Sequence, residues 1–309
     1  MSRPLAMAML LMFALAGCIE TGASDNEPQS LEQGASSEGP VGPDSQRAWA
    51  APEDATIRPG VRIYAPESPG PIIEDIDGAC TSNFIFTDPN GTNVYIGFAA
   101  HCDQSLSPSD DCLHGNGALP RPIGSPVRVE GASQPATIAY SSWGTMMAVN
   151  ETDPETCDRN DFAVALLHPD DVAAVSPAMI YFGGPVGLPT EDPEIGTSIV
   201  TFGNTPLRPG PEELDRKEGS IVAQESSGWT HYVRLNTPGV SGDSGSGVLS
   251  ADGLAVGALV AVVPIDDPDG QISTETALTN LVVDLRMALD YAREHAGLEL
   301  ELATWHMLV

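Results

Sequence analysis

Ser82-Asn83-Phe84-Ile85-Phe86-Thr87-Asp88-Pro89-Asn90-Gly91-Thr92-Asn93-Val94-Tyr95-Ile96-Gly97-Phe98-Ala99-Ala100-His101-Cys102 sets the texture of the whole chain. Two runs rich in β-branched and aromatic residues, Ser82–Thr87 and Asn93–Ala99, flank Asp88-Pro89-Asn90-Gly91. That tetrapeptide favours a tight turn, so the stretch predicts a β-hairpin. Outward from it, short runs of the same kind alternate with Gly, Pro, Asn and Asp: Val127–Val129, Ala136–Tyr140, Phe162–Leu167, Thr197–Phe202, Gly219–Ala223, Thr230–Leu235, Gly247–Leu249 and Leu254–Val263. Many short strands with no helices between them predict an all-β fold of antiparallel barrels. One segment differs. Leu281–His295 has helical spacing, with Leu281, Leu285, Ala288, Leu289 and Ala292 on one face, and predicts a single helix docked on the core.

The chain has 309 residues, 41% of them hydrophobic but only 6% aromatic, with 31 Gly and 27 Pro. That is room for one large domain with extensions, built from strands and turns. Its 43 acidic residues against 13 basic ones give a formal net charge of −30. Such a surface repels phosphate backbones and excludes nucleic acid as a partner.

The amino terminus reads as an export signal. Arg3 precedes the apolar run Leu5–Ala16, which is too short to span a bilayer. The run ends in Leu15-Ala16-Gly17-Cys18, which resembles a bacterial lipobox; the likeness implies cleavage after residue 17 and lipidation of Cys18. Ile19, in place of Asp, directs such a lipoprotein to the outer membrane rather than the inner one. Residues 18–72 are rich in Glu, Ser, Gly, Pro and Asn without apolar periodicity, and predict a flexible tether; the folded domain is expected over 73–309. Besides Cys18 the chain carries Cys80, Cys102, Cys112 and Cys157, an even set that reads in an exported protein as two disulfides with three possible connectivities. No CxxC or HxxxH spacing supports a metal site. Asp266-Asp267-Pro268-Asp269-Gly270 has the oxygens for calcium but reads as an exposed acidic turn.

Three segments carry the chemistry: Gly97–Cys102, Asn160-Asp161-Phe162-Ala163-Val164-Ala165-Leu166-Leu167, and Ser241-Gly242-Asp243-Ser244-Gly245-Ser246-Gly247-Val248. Each lies at the edge of an expected strand. A serine hydroxyl is a weak nucleophile and needs a neighbouring base. An imidazole supplies it, and a carboxylate fixes the ring's tautomer and stabilises the imidazolium. Negative charge developing on a carbonyl oxygen needs converging N–H donors, and glycines around a serine allow a turn tight enough to aim them.

Together AAHC, NDFAVALL and GDSGSG, in that order, resemble the chymotrypsin/trypsin family, in particular its secreted bacterial branch. The resemblance spans roughly residues 75–296 and implies two six-stranded β-barrels with the site between them and a C-terminal helix. It implies His101 as general base, Asp161 as orienting acid and Ser244 as nucleophile. The oxyanion hole would be made by the N–H groups of Gly242 and Ser244. It also implies a Cys80–Cys102 disulfide, which leaves Cys112 for Cys157. The expected activity is that of a serine endopeptidase working as a monomer on protein or peptide substrates, with no cofactor and no metal.

The sequence departs from the family pattern at three points. No Ile-Val-Gly-Gly-like segment is present to supply a freed amine to Asp243, so the resemblance implies an internal Arg partner instead. Pro238, six residues before Ser244, stands where trypsin-like members carry an acidic pocket floor; this points to apolar or small side chains as the substrate preference. Val260 falls where the family has a serine that supports the catalytic acid. The competing function is a surface binding lipoprotein that keeps the fold without turnover. An α/β-hydrolase esterase is excluded, since Ser246 replaces the second elbow glycine and the histidine precedes the serine.

Overall fold

The computed structural model describes residues 47–64, 79–106, 118–208, 214–264 and 278–306. The signal segment, Cys18, Cys112 and the acidic turn at 266–270 lie outside the described residues. In chain order the strands are β1 (Arg62–Tyr64), β2 (Ala79–Thr81), β3 (Ile85–Thr87), β4 (Val94–Phe98), β5 (Gln104–Leu106), β6 (Ala118–Pro120), β7 (Pro126–Val129) and β8 (Ala136–Ser141). Two short helices follow, α1 (Ser142–Val149) and α2 (Pro154–Arg159). Then come β9 (Ala163–Leu166), β10 (Ser198–Phe202), β11 (Arg216–Gln224), β12 (Thr230–Leu235), β13 (Gly247–Ser250), β14 (Ala255–Pro264), β15 (Leu278–Asp284), helix α3 (Leu285–Ala296) and β16 (Glu301–Leu302).

The fold is all-β in two parts, with a C-terminal helix. The first part is an eight-stranded sheet in the order β16-β3-β4-β9-β8-β7-β1-β2; the second is a closed barrel, β10-β11-β12-β15-β14-β13. All named pairings in both are antiparallel, as alternating short strands and turns require. The expected hairpin forms as β3 and β4, registered Ile85↔Ile96 and Thr87↔Val94 around the Asp88–Gly91 turn. Asp88 Oδ1 accepts from the N–H groups of Thr92 and Asn93, which locks that turn. Ile63, Ile85, Ile96, Phe98, Val127, Ile138 and Ala165 pack inside the first part. Ile199, Ile221, Val233, Val248, Leu259 and Val282 fill the barrel.

Two boundaries and two short helices differ from the sequence reading. Folded chain begins before residue 73: Ile57 and Ile63 are fully buried, and β1 pairs with both β2 and β7. The expected tether of 18–72 therefore ends too late, because Ile57, Val61 and Ile63 are buried and β1 is an inner strand, although their neighbours are polar, Pro or Gly. The final helix starts at Leu285, not Leu281, since Leu281–Val283 belong to a strand paired with β12 and β14. Asp284 makes the break by accepting from Met287 N–H as an N-cap. Helices α1 and α2 were not legible from periodicity; Ser141 and Asp153 cap them instead.

Candidate active site

Register explains how His101 and Asp161 meet. β4 and β9 are antiparallel neighbours with Phe98 opposite Ala163, so residues just after 98 and just before 163 emerge at the same end of the sheet. A one-turn 3-10 helix, Ala100–Asp103, carries His101 there. Asp161 follows Asn160, which ends α2, and precedes Phe162, a fully buried ring in edge contact with Phe86. Ser142 Oγ ties this junction by donating to Asn160 O and accepting from Phe162 N–H.

The carboxylate of Asp161 is bound to His101 at both oxygens. His101 N–H donates to Oδ1 at 2.8 Å, and ring Nδ1 lies 2.6 Å from Oδ2. An ionised carboxylate only accepts, so the proton sits on Nδ1 and the neutral ring presents Nε2 as an acceptor. Burial of the ring works to lower the His101 pKa, but the charge and hydrogen bond of Asp161 outweigh it and the net shift is upward. No other hydrogen bond reaches the Asp161 carboxylate among the described residues, and Val260 brings no hydroxyl.

Ser244 comes from the turn between β12 and β13. Gly242 and Gly245 take φ of +93° and +88°, a region that disfavours side chains. A Cβ on Gly245 would stand 2.4 Å from Thr81 O and 3.0 Å from Ala99 N, so the turn presses on the strand end that leads into His101. Thr81 clamps it: its N–H donates to Ser244 O and its Oγ1 to Gly242 O, each at 2.8 Å. The preceding residue, Cys80, is joined by a disulfide to Cys102, next to His101. Cys157 is also disulfide-bonded. With Cys80 and Cys102 bonded to one another, the cluster of Cys80, His101 and Cys102 offers no thiolate to a metal.

The N–H groups of Gly242 and Ser244 donate no hydrogen bond among the described residues, while their neighbours Asp243 N–H and Gly245 N–H bond Val240 O and Leu259 O. Ser244 Oγ makes no hydrogen bond to His101. The structure thus brings His101 and Asp161 into direct contact and sets the Ser244 turn against the same strand end, with the final link open. Asp243 points inward, fully buried, and its carboxylate is gripped by Arg208, an internal arginine. Thr81 was missed by sequence reasoning: nothing but its place beside Cys80 marks it.

Close to His101, Asp103 is fully buried against Arg121 Nη1 at 3.6 Å, and neither of its carboxylate oxygens has a hydrogen-bond partner among the described residues. Burial pushes its pKa up to about 7, with Arg121 opposing.

No family model matches the chain, and no curated protein does. Among solved structures it is similar to protease A of Thermobifida fusca, at 14% identity over 81% of this chain and 99% of that one, with a TM-score of 0.43. It is similar to a chymotrypsin of Cellulomonas bogoriensis, at 16% identity over 73% of this chain and 91% of that one, with a TM-score of 0.40. A third similar structure, a glutamic acid specific serine protease, shares 15% identity over 76% of this chain and 96% of that one, with a TM-score of 0.43.

Proposed function

We propose that the chain is a serine endopeptidase acting through His101, Asp161 and Ser244. The observation that carries this reading is the doubly bonded His101–Asp161 pair, which leaves Nε2 as a free acceptor at the strand end where the Ser244 turn docks. In the reaction, Nε2 removes the Ser244 Oγ proton as Oγ attacks the peptide carbonyl. The oxyanion accepts from Gly242 and Ser244 N–H, and the imidazolium then protonates the leaving amine. Water, deprotonated by the same imidazole, attacks the acyl carbonyl, and the imidazolium returns that proton to Ser244 Oγ as the acid product leaves.

A fluorophosphonate probe on the full chain tests the reading. Wild-type labelling that disappears in Ser244→Ala and His101→Ala supports it, and a wild type that stays unlabelled ends it. Peptide-library profiling of the unlabelled protein, with Ser244→Ala as control, then gives the substrate preference, for which Pro238 favours apolar or small side chains. The unmade Ser244–His101 bond is what favours the second reading, a binding protein without turnover. Apo enzymes often tighten this bond only around substrate, so the first reading is preferred.

Export and anchoring form part of the same proposal and rest on Leu15-Ala16-Gly17-Cys18 alone. Radiolabelled palmitate incorporated by the wild type and absent from Cys18→Ala is the expected result; equal incorporation would remove the anchor from the proposal.

A further inference from the structure

β11 alternates outward and inward residues, and one of its inward positions is a lysine. Lys217 is fully buried, registered opposite Thr201 on β10. Its Nζ donates to Asp215 O at 3.1 Å and lies 3.3 Å from Asp243 Oδ2. Asp243 therefore stands between two cations. Arg208 approaches both of its oxygens, Nη1 to Oδ1 at 3.3 Å and Nη2 to Oδ2, and spends its remaining reach on Asp215 Oδ1 at 2.7 Å. The backbone leaves room for this on purpose: a Cβ on Gly203 would stand 2.3 Å from Asp243 Oδ1 and 2.6 Å from Lys217 Nζ. Among the described residues the charged groups that face Nζ are Asp243 from the β12–β13 turn, and Arg208 and Asp215 from the β10–β11 connection.

What the cluster holds is the peptide that matters. Asp243 Oδ2 also accepts from Val240 N–H at 3.0 Å, so the inward carboxylate folds the turn onto itself one residue before Ser244. The Ser244 N–H belongs to the peptide unit that begins at Asp243 C=O, and Ser246 binds that carbonyl through both N–H and Oγ. A carboxylate with no solvent needs full charge compensation, and swinging it outward would turn the Ser244 N–H with it.

We propose that Lys217 is a positioning residue: its buried ammonium shares Asp243 with Arg208 and so holds the Gly242 and Ser244 N–H groups convergent on the oxyanion. The inference rests on the endopeptidase reading. It adds that the cations securing the nucleophile turn come from the barrel itself. Burial lowers the Lys217 pKa from the ordinary 10.5 against the pull of Asp243, so rising pH discharges it before a surface lysine.

The test is fluorophosphonate inactivation of the full-length protein, resolved into kinact and KI across pH. Lys217→Met is expected to lower kinact about tenfold, a loss of the kind small misplacements of reacting groups produce, with KI changed less than about twofold. Its thermal unfolding midpoint should fall, since losing one cation leaves Asp243 to Arg208 alone, so kinact is compared per folded molecule. The wild type should lose kinact on the alkaline side below pH 10.5, and Lys217→Arg should recover most of the rate and keep it at high pH. Lys217→Met reacting with wild-type kinact and an unchanged pH profile would overturn the inference while leaving the endopeptidase reading intact. A wild type inert to the probe would instead overturn that reading. If Lys217→Met does not fold, Lys217→Gln decides in its place, because wild-type kinact in a folded Lys217→Gln overturns the role.

Discussion

Two histidine rings hydrogen-bond an aspartate carboxylate among the described residues, and the two pairs are built for opposite ends. His101 meets Asp161 through Nδ1 at 2.6 Å, with side-chain exposures of 25% and 14%. His231 meets Asp284 through Nε2 at 2.9 Å, with exposures of 2% and 2%. In the first, the Nε2 left over makes no hydrogen bond among the described residues, and the ring keeps some exposure. In the second, the left-over Nδ1 is buried without a partner among the described residues, on a strand paired with β15. Asp284 spends its other oxygen on the N-terminus of α3. A histidine bonded to a carboxylate is thus not a site in itself. What makes one is an unspent ring nitrogen where a substrate can arrive, and here chain position, not residue type, decides that.

The sharpest way to break the comparison is to remove one acid from each pair. Asp161→Asn should cost about 10,000-fold in the rate of fluorophosphonate labelling, because an amide that donates to Nδ1 favours the wrong tautomer. Labelling of Asp161→Asn within tenfold of wild type would mean that the two pairs do not differ in function. A smaller effect concerns bracing. The Cys80–Cys102 disulfide joins residues 22 apart and ties the His101 turn to β2, whereas the His231 pair needs no such tie. Cys80→Ser with Cys102→Ser should destabilise the fold by about 3 kcal/mol in denaturant unfolding. A loss below about 1 kcal/mol would show the turn to be held by Thr81 and β4 without the bridge. Smaller again is Asp284→Ala, at about 2 kcal/mol: about 1 for the lost cap and a similar cost for stranding His231. Per folded molecule its labelling rate should match wild type, and a large drop would assign the buried pair a share of the chemistry.

The same contrast shows what a sequence can disclose. The Asp88–Gly91 turn, the apolar strand into His101 and the glycines around Ser244 impose local geometry, and each is readable where it stands. The inward aspartate with an internal arginine was foreseen as well, though not which arginine. Lys217 was not, because a lysine inside a strand looks like any outward charge until β10 and the Asp243 turn close over it. Nor was β1: Ile57 and Ile63 are too few to outweigh their polar neighbours, and they earn their burial only from partners such as Val129 and Val175. Helix α1, Ser142–Val149, lacks an apolar stripe and exists through its caps, Ser141 and the left-handed Asn150. Local turns and strand ends were legible where they stand, and the motifs carried the His101–Asp161 and Cys80–Cys102 pairings; Lys217 and β1, whose burial depends on distant partners that no motif marks, were not.

The finest test separates the pairs by pH. A general base must be neutral, so labelling should fall as pH drops through the His101 pKa, which Asp161 holds above the ordinary 6.5 against the opposing effect of burial. In Asp161→Asn the charge is gone while burial persists, so the acid limb of the residual activity should move to lower pH. Asp103, with a pKa of about 7 only two residues away, is the group able to counterfeit this limb. Asp103→Asn is therefore expected to leave it in place, and a limb that follows Asp103 rather than Asp161 would take the base assignment from His101. Stability should run the other way. A histidine whose pKa is higher folded than unfolded stabilises fully below its unfolded value of 6.5, and that contribution is lost as pH rises through the folded pKa. The proton that stops the chemistry thus tightens the fold, so the midpoint of activity and the loss of this stabilising increment should coincide in the wild type and vanish together in His101→Ala.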